Sequence, residues 1–269
     1  MRIALLAALV SLAADCSGQA GASPYREIDV VGGGSVRGRV RLTGRRPQPL
    51  ILEVSQDTEV CGDTAGALRL SVGRGNGVQN ALVYLRGVTR GKQLPLNRNV
   101  VIEQQRCQYS PRVAALTLGA EIEIVNRDPI LHSVHGREMG ARPRTTFNIA
   151  QPVMGQRTRI RKAMLAKEHL LRLSCDAGHP WMSGYIVVTP HPYVAVTGED
   201  GSFVLEEVPP GAYDITMWHE GVALVRVNAV LQLYQFEAPY EISQRIQVPP
   251  GRPVTVKFEL RLRDNLEKR

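Results

Sequence analysis

The sequence predicts an all-β protein of sandwiches or barrels. Three observations carry that reading: Val, Leu, Gly and Pro recur in short alternating runs, turn residues separate those runs, and the spacing of runs and turns does not interleave long helices as a parallel α/β sheet would. In "SVRGRVRL" (35–42), Val36, Val40 and Leu42 alternate with Arg37, Arg39 and Arg41, the pattern of a strand with one buried face. "NALVYL" (80–85) and "NVVIEQ" (99–104) read as further strands, and "RVAALTLGAEIEIVN" (112–126) as two short strands turning at Gly119. "TRIRK", "HLLRLS" (169–174) and "GYIVVT" (184–189) continue the pattern, with a turn of helix in "KAMLAKEH" between them. Near the C-terminus, "PVTVKFELRL" (253–262) sets Val254, Val256, Phe258, Leu260 and Leu262 on one face. The short "VGGGS" before the first long strand reads as a flexible leader.

With 43% hydrophobic and 22% charged residues, the 269-residue chain has the balance of a globular protein with a packed core. A net charge of +8 raises the question of nucleic acid, and the N-terminus answers against it. "MRIALLAALVSLAA" has one basic residue, Arg2, then an apolar run of export-signal length, and Ala20 and Ala22 form a small-residue cleavage pattern. Residues 1–22 are therefore expected to be a signal peptide. The run is too short for a membrane span and no later segment is apolar enough, so no transmembrane segment is expected. Asp15 stands where a lipoprotein signal needs a small residue, which argues against a lipid anchor on Cys16. The expected location is the periplasm or the exterior, where positive charge serves an acidic protein partner or an anionic envelope surface.

If cleavage removes Cys16, the mature chain keeps Cys61, Cys107 and Cys175, an odd number for an exported protein. Cys61 in "EVCGDT" and Cys107 in "QQRCQYSP" lack neighbouring metal-ligand types and are the expected disulfide pair. Cys175 is left over. It opens "CDAGHPWM", which adds His179 and Met182 within eight residues. A soft thiolate, two imidazoles in a roughly trigonal plane and a weak axial thioether are what a mononuclear copper centre asks for. One loop spaced Cys-x3-His-x2-Met supplies three of these, and His132 in "NRDPILHSVH" (126–135) supplies a second imidazole from a distant strand. Zinc is the rival metal, taking Cys175, His179, His132 and His135 as a tetrahedral set. Each residue alone has a plainer reading: a buried small cysteine, satisfied structural histidines, a core methionine.

Two resemblances follow from these residues. "GEDGSFVLEEVPPGAYDITMWHEG" (198–221), with its Asp200-Gly201 turn, alternating Phe203 and Leu205, the Pro209-Pro210-Gly211 turn and Tyr213, resembles the carboxypeptidase regulatory-like module, a small transthyretin-like β-sandwich. Its opening strands match "GRV" (38–40) and "ALVYL" (81–85), and its last strand matches "VTVKFEL", so about 90 residues fall between two strands of one sandwich. That inserted stretch resembles the cupredoxin family. "NRDPILHSVH" is similar to the amicyanin- and plastocyanin-like pattern N-x-[DE]-x-x-x-H-x-V-H, which makes His132 the ligand and His135 its neighbour, and Cys175, His179 and Met182 fall on the family's C-terminal ligand loop. The chain departs in carrying three residues between Cys175 and His179, where amicyanin-like members have two, and in Ser133, where many relatives place an asparagine that pins the ligand loop. Leu171 stands where a binuclear copper loop needs a second cysteine, which excludes that site.

Together these imply an all-β chain in which a Greek-key cupredoxin sandwich, residues 98–190, is inserted in or packed on a small transthyretin-like β-sandwich formed by residues 30–97 and 191–262. The implied cofactor is one type 1 copper ion and the implied role electron transfer, since four protein donors leave no position open for a substrate. His179, followed by Pro180 and Trp181, is then the expected surface exit for the electron, and Arg157, Arg159 and Arg161 are candidate docking charges for an acidic redox partner. The alternative is an envelope structural or carbohydrate-binding sandwich in which metal, zinc or none, is secondary. His169, His191 and His219 read as surface or structural groups, "WHE" (218–220) as a strand end, and "GRGNG" (73–77), which lacks a phosphate-loop lysine, as a turn.

Overall fold

The computed structural model describes residues 25–66, 69–95, 99–140, 142–165, 167–228 and 233–263; the expected signal segment and Cys16 lie outside the described residues. The all-β expectation holds, and the strands form two sandwiches. In one, a sheet of Val194–Val196, Leu82–Arg86, Gly211–His219 and Tyr240–Val248, in that order, faces a sheet of Ser202–Val208, Gly34–Thr43 and Val254–Arg261. The period-two pattern dictates this packing: Val36, Val40, Leu42, Val256, Phe258, Leu260, Phe203 and Leu205 are buried in one core, while Arg37, Arg39 and Arg41 face solvent. The glycines of "VGGGS" are not a flexible leader. The first long strand begins at Gly34, where a Cβ would lie 2.7 Å from both the Arg252 carbonyl oxygen and Val248 Cγ1, so glycine is needed there for close backbone approach.

Leu82–Arg86 hydrogen-bonds to both Val194–Val196 and Gly211–His219, so the chain leaves this sandwich after that strand and returns beside it. The intervening residues build the second sandwich. One sheet runs Gln108–Ser110, Asn99–Gln105, Glu121–Asn126, Arg157–Ile160; the other runs Val113–Thr117, Ser183–Thr189, His169–Ser174, His132–Glu138, Arg144–Gln151. The two strands expected to turn at Gly119 form, but not as a hairpin. Val113–Thr117 pairs parallel with Ser183–Thr189 and Glu121–Asn126 pairs parallel with Asn99–Gln105, so the positive-φ turn at Gly119 (φ 81°) carries the chain from one sheet to the other. The expected helical turn is a 3-10 turn, Lys162–Leu165.

Residues 50–66 precede the second sandwich in sequence yet pack on it: Leu52, Val54 and Ala65 are buried with Ile124, Val134, Cys175 and Met182. Between the sandwiches, Leu82 and Trp218 of one meet Val113, Tyr185 and Val187 of the other. Beside that seam, "WHE" is more than a strand end. The strand stops at His219, and the buried Glu220 carboxylate is held by Arg69 at 2.7 Å, by Arg112, and by the Tyr185 hydroxyl at 3.1 Å. His169, His191 and His219 are all buried, so they are structural rather than surface groups.

Candidate metal centre

His132 opens the strand His132–Glu138, and Cys175 directly follows the strand His169–Ser174. These strands pair antiparallel with His135 opposite Ser174, which brings His132 and Cys175 to the same end of the sheet. The Tyr109 hydroxyl lies 2.8 Å from the Ser133 carbonyl and 2.9 Å from the Ser174 carbonyl, tying the two strands together just behind the donors. The loop then turns through Gly178 (φ 87°), and the Met182 N–H donates to the His179 carbonyl at 3.0 Å, closing it tightly enough to return His179 over Cys175.

Three donor atoms converge. Cys175 Sγ lies 3.5 Å from His179 Nδ1 and 3.9 Å from His132 Nδ1, and the two Nδ1 atoms are 3.2 Å apart. Donors bound to one ion at about 2.0–2.3 Å in a trigonal plane stand about 3.5–3.7 Å from one another, close to this triangle. The far side of each ring fixes its tautomer. His132 Nε2 lies 2.8 Å from Asp128 Oδ2 and His179 Nε2 lies 3.0 Å from Asp57 Oδ2. A carboxylate accepts, so each Nε2 carries the proton and each Nδ1 presents a lone pair. Two imidazole lone pairs facing each other at 3.2 Å beside a thiol repel unless a cation lies between them. The residues therefore fit a soft, thiophilic metal ion.

The shell behind the donors is extensive. Asp128 is buried and also accepts the N–H groups of Arg106 and Cys107, at 2.8 and 2.9 Å. Asn126 orients Asp128 by accepting its N–H at 2.9 Å. Ser133 does the pinning expected of an asparagine: its N–H points to Cys175 Sγ at 3.3 Å and its hydroxyl accepts the Asp176 N–H at 2.7 Å. His135 stands apart. Its Nδ1 meets Asp176 Oδ2 at 2.6 Å and its Nε2 meets Thr145 Oγ1 at 2.8 Å, so neither nitrogen joins the cluster and the four-donor zinc set is not assembled. Met182 is buried in the same core as Cys175.

Two expectations change. His179 is not a surface exit: it is fully buried, with Asp57 capping its outer nitrogen and Trp181 edge-on at 5.5 Å. Sequence reading missed Asp57 because it lies 122 positions upstream and carries no local motif. Arg157 and Arg159 both turn toward Glu123, which neutralises part of the expected basic stripe. The expected Cys61–Cys107 disulfide is present, with Cα atoms 5.3 Å apart, and Cys175 remains a thiol.

Burial pushes the Cys175 thiol above its ordinary range, with the N–H groups of Ser133 and Ala177 pulling the other way. Burial lowers His179, against the pull of its Asp57 hydrogen bond, so its imidazole is neutral at pH 7. Metal must therefore displace the Cys175 proton throughout the neutral range. The expected result is that apparent affinity for cupric ion rises about tenfold per pH unit from pH 6.5 to 8, measured by chelator competition, with one proton released per ion. A flat profile would mean that the thiol is not a ligand.

No protein-family model matches the sequence, and no curated protein matches it. Among solved structures the chain is similar to a copper-containing nitrite reductase from Thermus scotoductus SA-01, at 22% identity over 46% of this chain and 26% of that one, with a TM-score of 0.27. It is also similar to a purple cupredoxin from Nitrosopumilus maritimus, at 19% identity over 34% of this chain and 99% of that one, with a TM-score of 0.29. A third is a reduced amicyanin variant, at 18% identity over 34% and 82% of the two chains, with a TM-score of 0.28. The chain thus spans about a quarter of the reductase's length.

Proposed function

We propose that this chain is an exported mononuclear copper protein that carries electrons through a type 1 site of His132, Cys175, His179 and Met182. The observation that supports it is the triangle of one thiol and two imidazole Nδ1 atoms whose outer nitrogens are both held by carboxylates. Bound copper supplies a one-electron couple whose two states share nearly the same donor geometry. The chain's own contribution is to fix that geometry: Asp57 and Asp128 hold the rings, Ser133 holds the Cys175 loop, and the tyrosine bridge holds the strands. Burial of all three donors excludes water from the site. The disulfide agrees with an oxidising, extracytoplasmic compartment, and among the described residues no helix is long and apolar enough to cross a membrane. We assign residues 98–190 to a cupredoxin domain set within a regulatory-like sandwich of residues 30–97 and 191–262, and a redox protein with an acidic docking surface as the partner.

The test is a visible spectrum. Adding cupric ion to the metal-free protein should give an intense blue or green charge-transfer band at one equivalent. Met182→Leu should keep the band and shift the reduction potential, because the thioether would be a weak donor that adds little to colour, while its polarizable sulfur would bias the relative stability of the two copper states. His132→Ala should open the site, so that added imidazole restores the band. A colourless protein that binds zinc or nothing would return the chain to the structural-sandwich reading.

A further inference from the structure

The cap over His179 belongs to a segment stapled by a disulfide. The Gln56 amide donates to the Ala177 carbonyl at 2.7 Å and lies close over Gly178, where a Cβ would require the amide to move. Asp57, beside it, holds His179 Nε2, and its own carbonyl accepts the N–H groups of Val60 and Cys61 at 3.0 and 2.8 Å. A single helical turn, Thr58–Cys61, thus runs from the cap to Cys61 and its bond to Cys107. From Cys107, the N–H goes to Asp128 and the carbonyl accepts Trp181 Nε1–H at 3.2 Å. Both carboxylates that hold the imidazoles are therefore joined through one disulfide. The sulfurs of Cys61 and Cys107 also lie within 4.8 Å of a His179 ring nitrogen, so His179 is shared between this group and the His132–Cys175 group.

Resting on the copper reading, we propose that the Cys61–Cys107 disulfide, once reduced, is an uptake site for a cuprous ion: two thiolates and one nitrogen of the His179 imidazole receive the ion, which then passes to the His132–Cys175 pair that shares His179. Two thiolates and an imidazole are a soft set suited to copper(I). Cα atoms 5.3 Å apart keep both sulfurs within reach of one ion after the bond is broken. Reduction needs a dithiol protein or reagent. One of its thiolates attacks the half-buried Cys61 sulfur and releases Cys107, which is fully buried, as the leaving thiolate. Its second thiol then displaces Cys61, so the chain gains two electrons and two protons and the reductant leaves as its own disulfide. Binding of the ion displaces the thiol protons. The ion does not change oxidation state in the transfer. With the disulfide closed, as the structure has it, neither sulfur is a thiolate and the uptake set is incomplete.

The test uses the full-length Cys175→Ser chain, which lacks the inner thiolate. Metal-free protein, with and without prior phosphine reduction, is titrated anaerobically with cuprous ion against a coloured cuprous chelator. The reduced protein should take one equivalent from the chelator, and the disulfide form, left with two imidazoles, should bind at least tenfold more weakly; adding Cys61→Ser to the reduced protein should likewise weaken binding at least tenfold. Circular dichroism checks the fold, and Cys175→Ala carries the same titration if the serine variant does not fold. Failure of the reduced protein to bind, or equal binding by both redox forms, overturns the proposal. The cupric colour of the natural chain is read separately. Colour without cuprous uptake sinks only the uptake site, while a colourless natural chain sinks the electron-carrier reading and leaves the titration to decide this one.

Discussion

Cys175→Ser should abolish the coloured copper complex while leaving a folded protein. The band requires sulfur-to-copper charge transfer, and a serine oxygen is a hard donor whose proton is held far more tightly than that of a thiol. The two imidazoles would remain, tautomers fixed by Asp57 and Asp128, so weak colourless binding is the expected residue of the site. The fold should survive because the sulfur is one small group in a core that also includes Ile122, Ile124, Val134, Leu171 and Ile186. A polar atom in that position costs about 1–3 kcal/mol if unpaired, and the Ser133 N–H already points at it. Absorbance on cupric addition and a thermal melt measure the two halves of the claim. His135→Ala is the matched control: its nitrogens serve Asp176 and Thr145, so colour should persist. If the His135 variant bleaches and the Cys175 variant does not, the ligand assignment is wrong.

Glu220→Ala should be among the most destabilising single changes in the chain. Its carboxylate holds Arg69 at 2.7 Å and Arg112 as well, and it is 3% exposed. Arg69 cannot turn outward easily, because Nε donates to the Gly221 carbonyl at 2.7 Å and the guanidinium lies 3.7 Å from the centroid of Phe236. Removing the carboxylate leaves two guanidiniums without a counter-charge in a buried seam, a loss of about 3–5 kcal/mol. For a chain of this size that is a fall of roughly 10 °C in Tm. Because Arg112 precedes a strand of one sandwich and Glu220 follows a strand of the other, the melt should also separate into two transitions. Burial raises the Glu220 carboxyl, but Arg112 and Arg69 outweigh it and hold the group below its ordinary 4.5. Its contribution is therefore complete above pH 4.5 and lost as pH falls through the lower folded value. A calorimetric change under about 1 kcal/mol would show that the cluster is solvated.

Strand identity was legible because one-sided burial writes a period of two into the chain. Val36, Val40 and Leu42 alternate with arginines, and Val256, Phe258 and Leu260 with Thr255, Lys257 and Glu259, and each set lies on the core face that the alternation implies. Alternation says which side of a strand is buried. It does not say which strand lies beside it. The pairs flanking Gly119 therefore read as neighbours, and only packing shows that they belong to different sheets. The glycine at 34 misled for a related reason: a missing Cβ serves flexibility and close contact equally well, and the contact with Val248 and Arg252 exists only in the folded chain.

The same division runs through the site. The sequence by itself determined which residue types stand close enough to be proposed as donors: Cys175, His179 and Met182 share one eight-residue stretch, and Asp128 and His132 share one short motif. It implied the Cys61–Cys107 disulfide by parity together with the ligand types that surround Cys175 alone, and that bond is present. What tertiary structure alone decided is the far side of the donors. Asp57 reaches His179 from 122 positions away, Tyr109 bridges two strands it does not adjoin in sequence, and Glu220 finds Arg69 and Arg112 across a seam between sandwiches. Three of the proposed donors lie within one loop and can be read in order along the chain, whereas His132 and the carboxylates that fix a ring or neutralise a guanidinium need only proximity in space, and folding supplies that from anywhere along the chain.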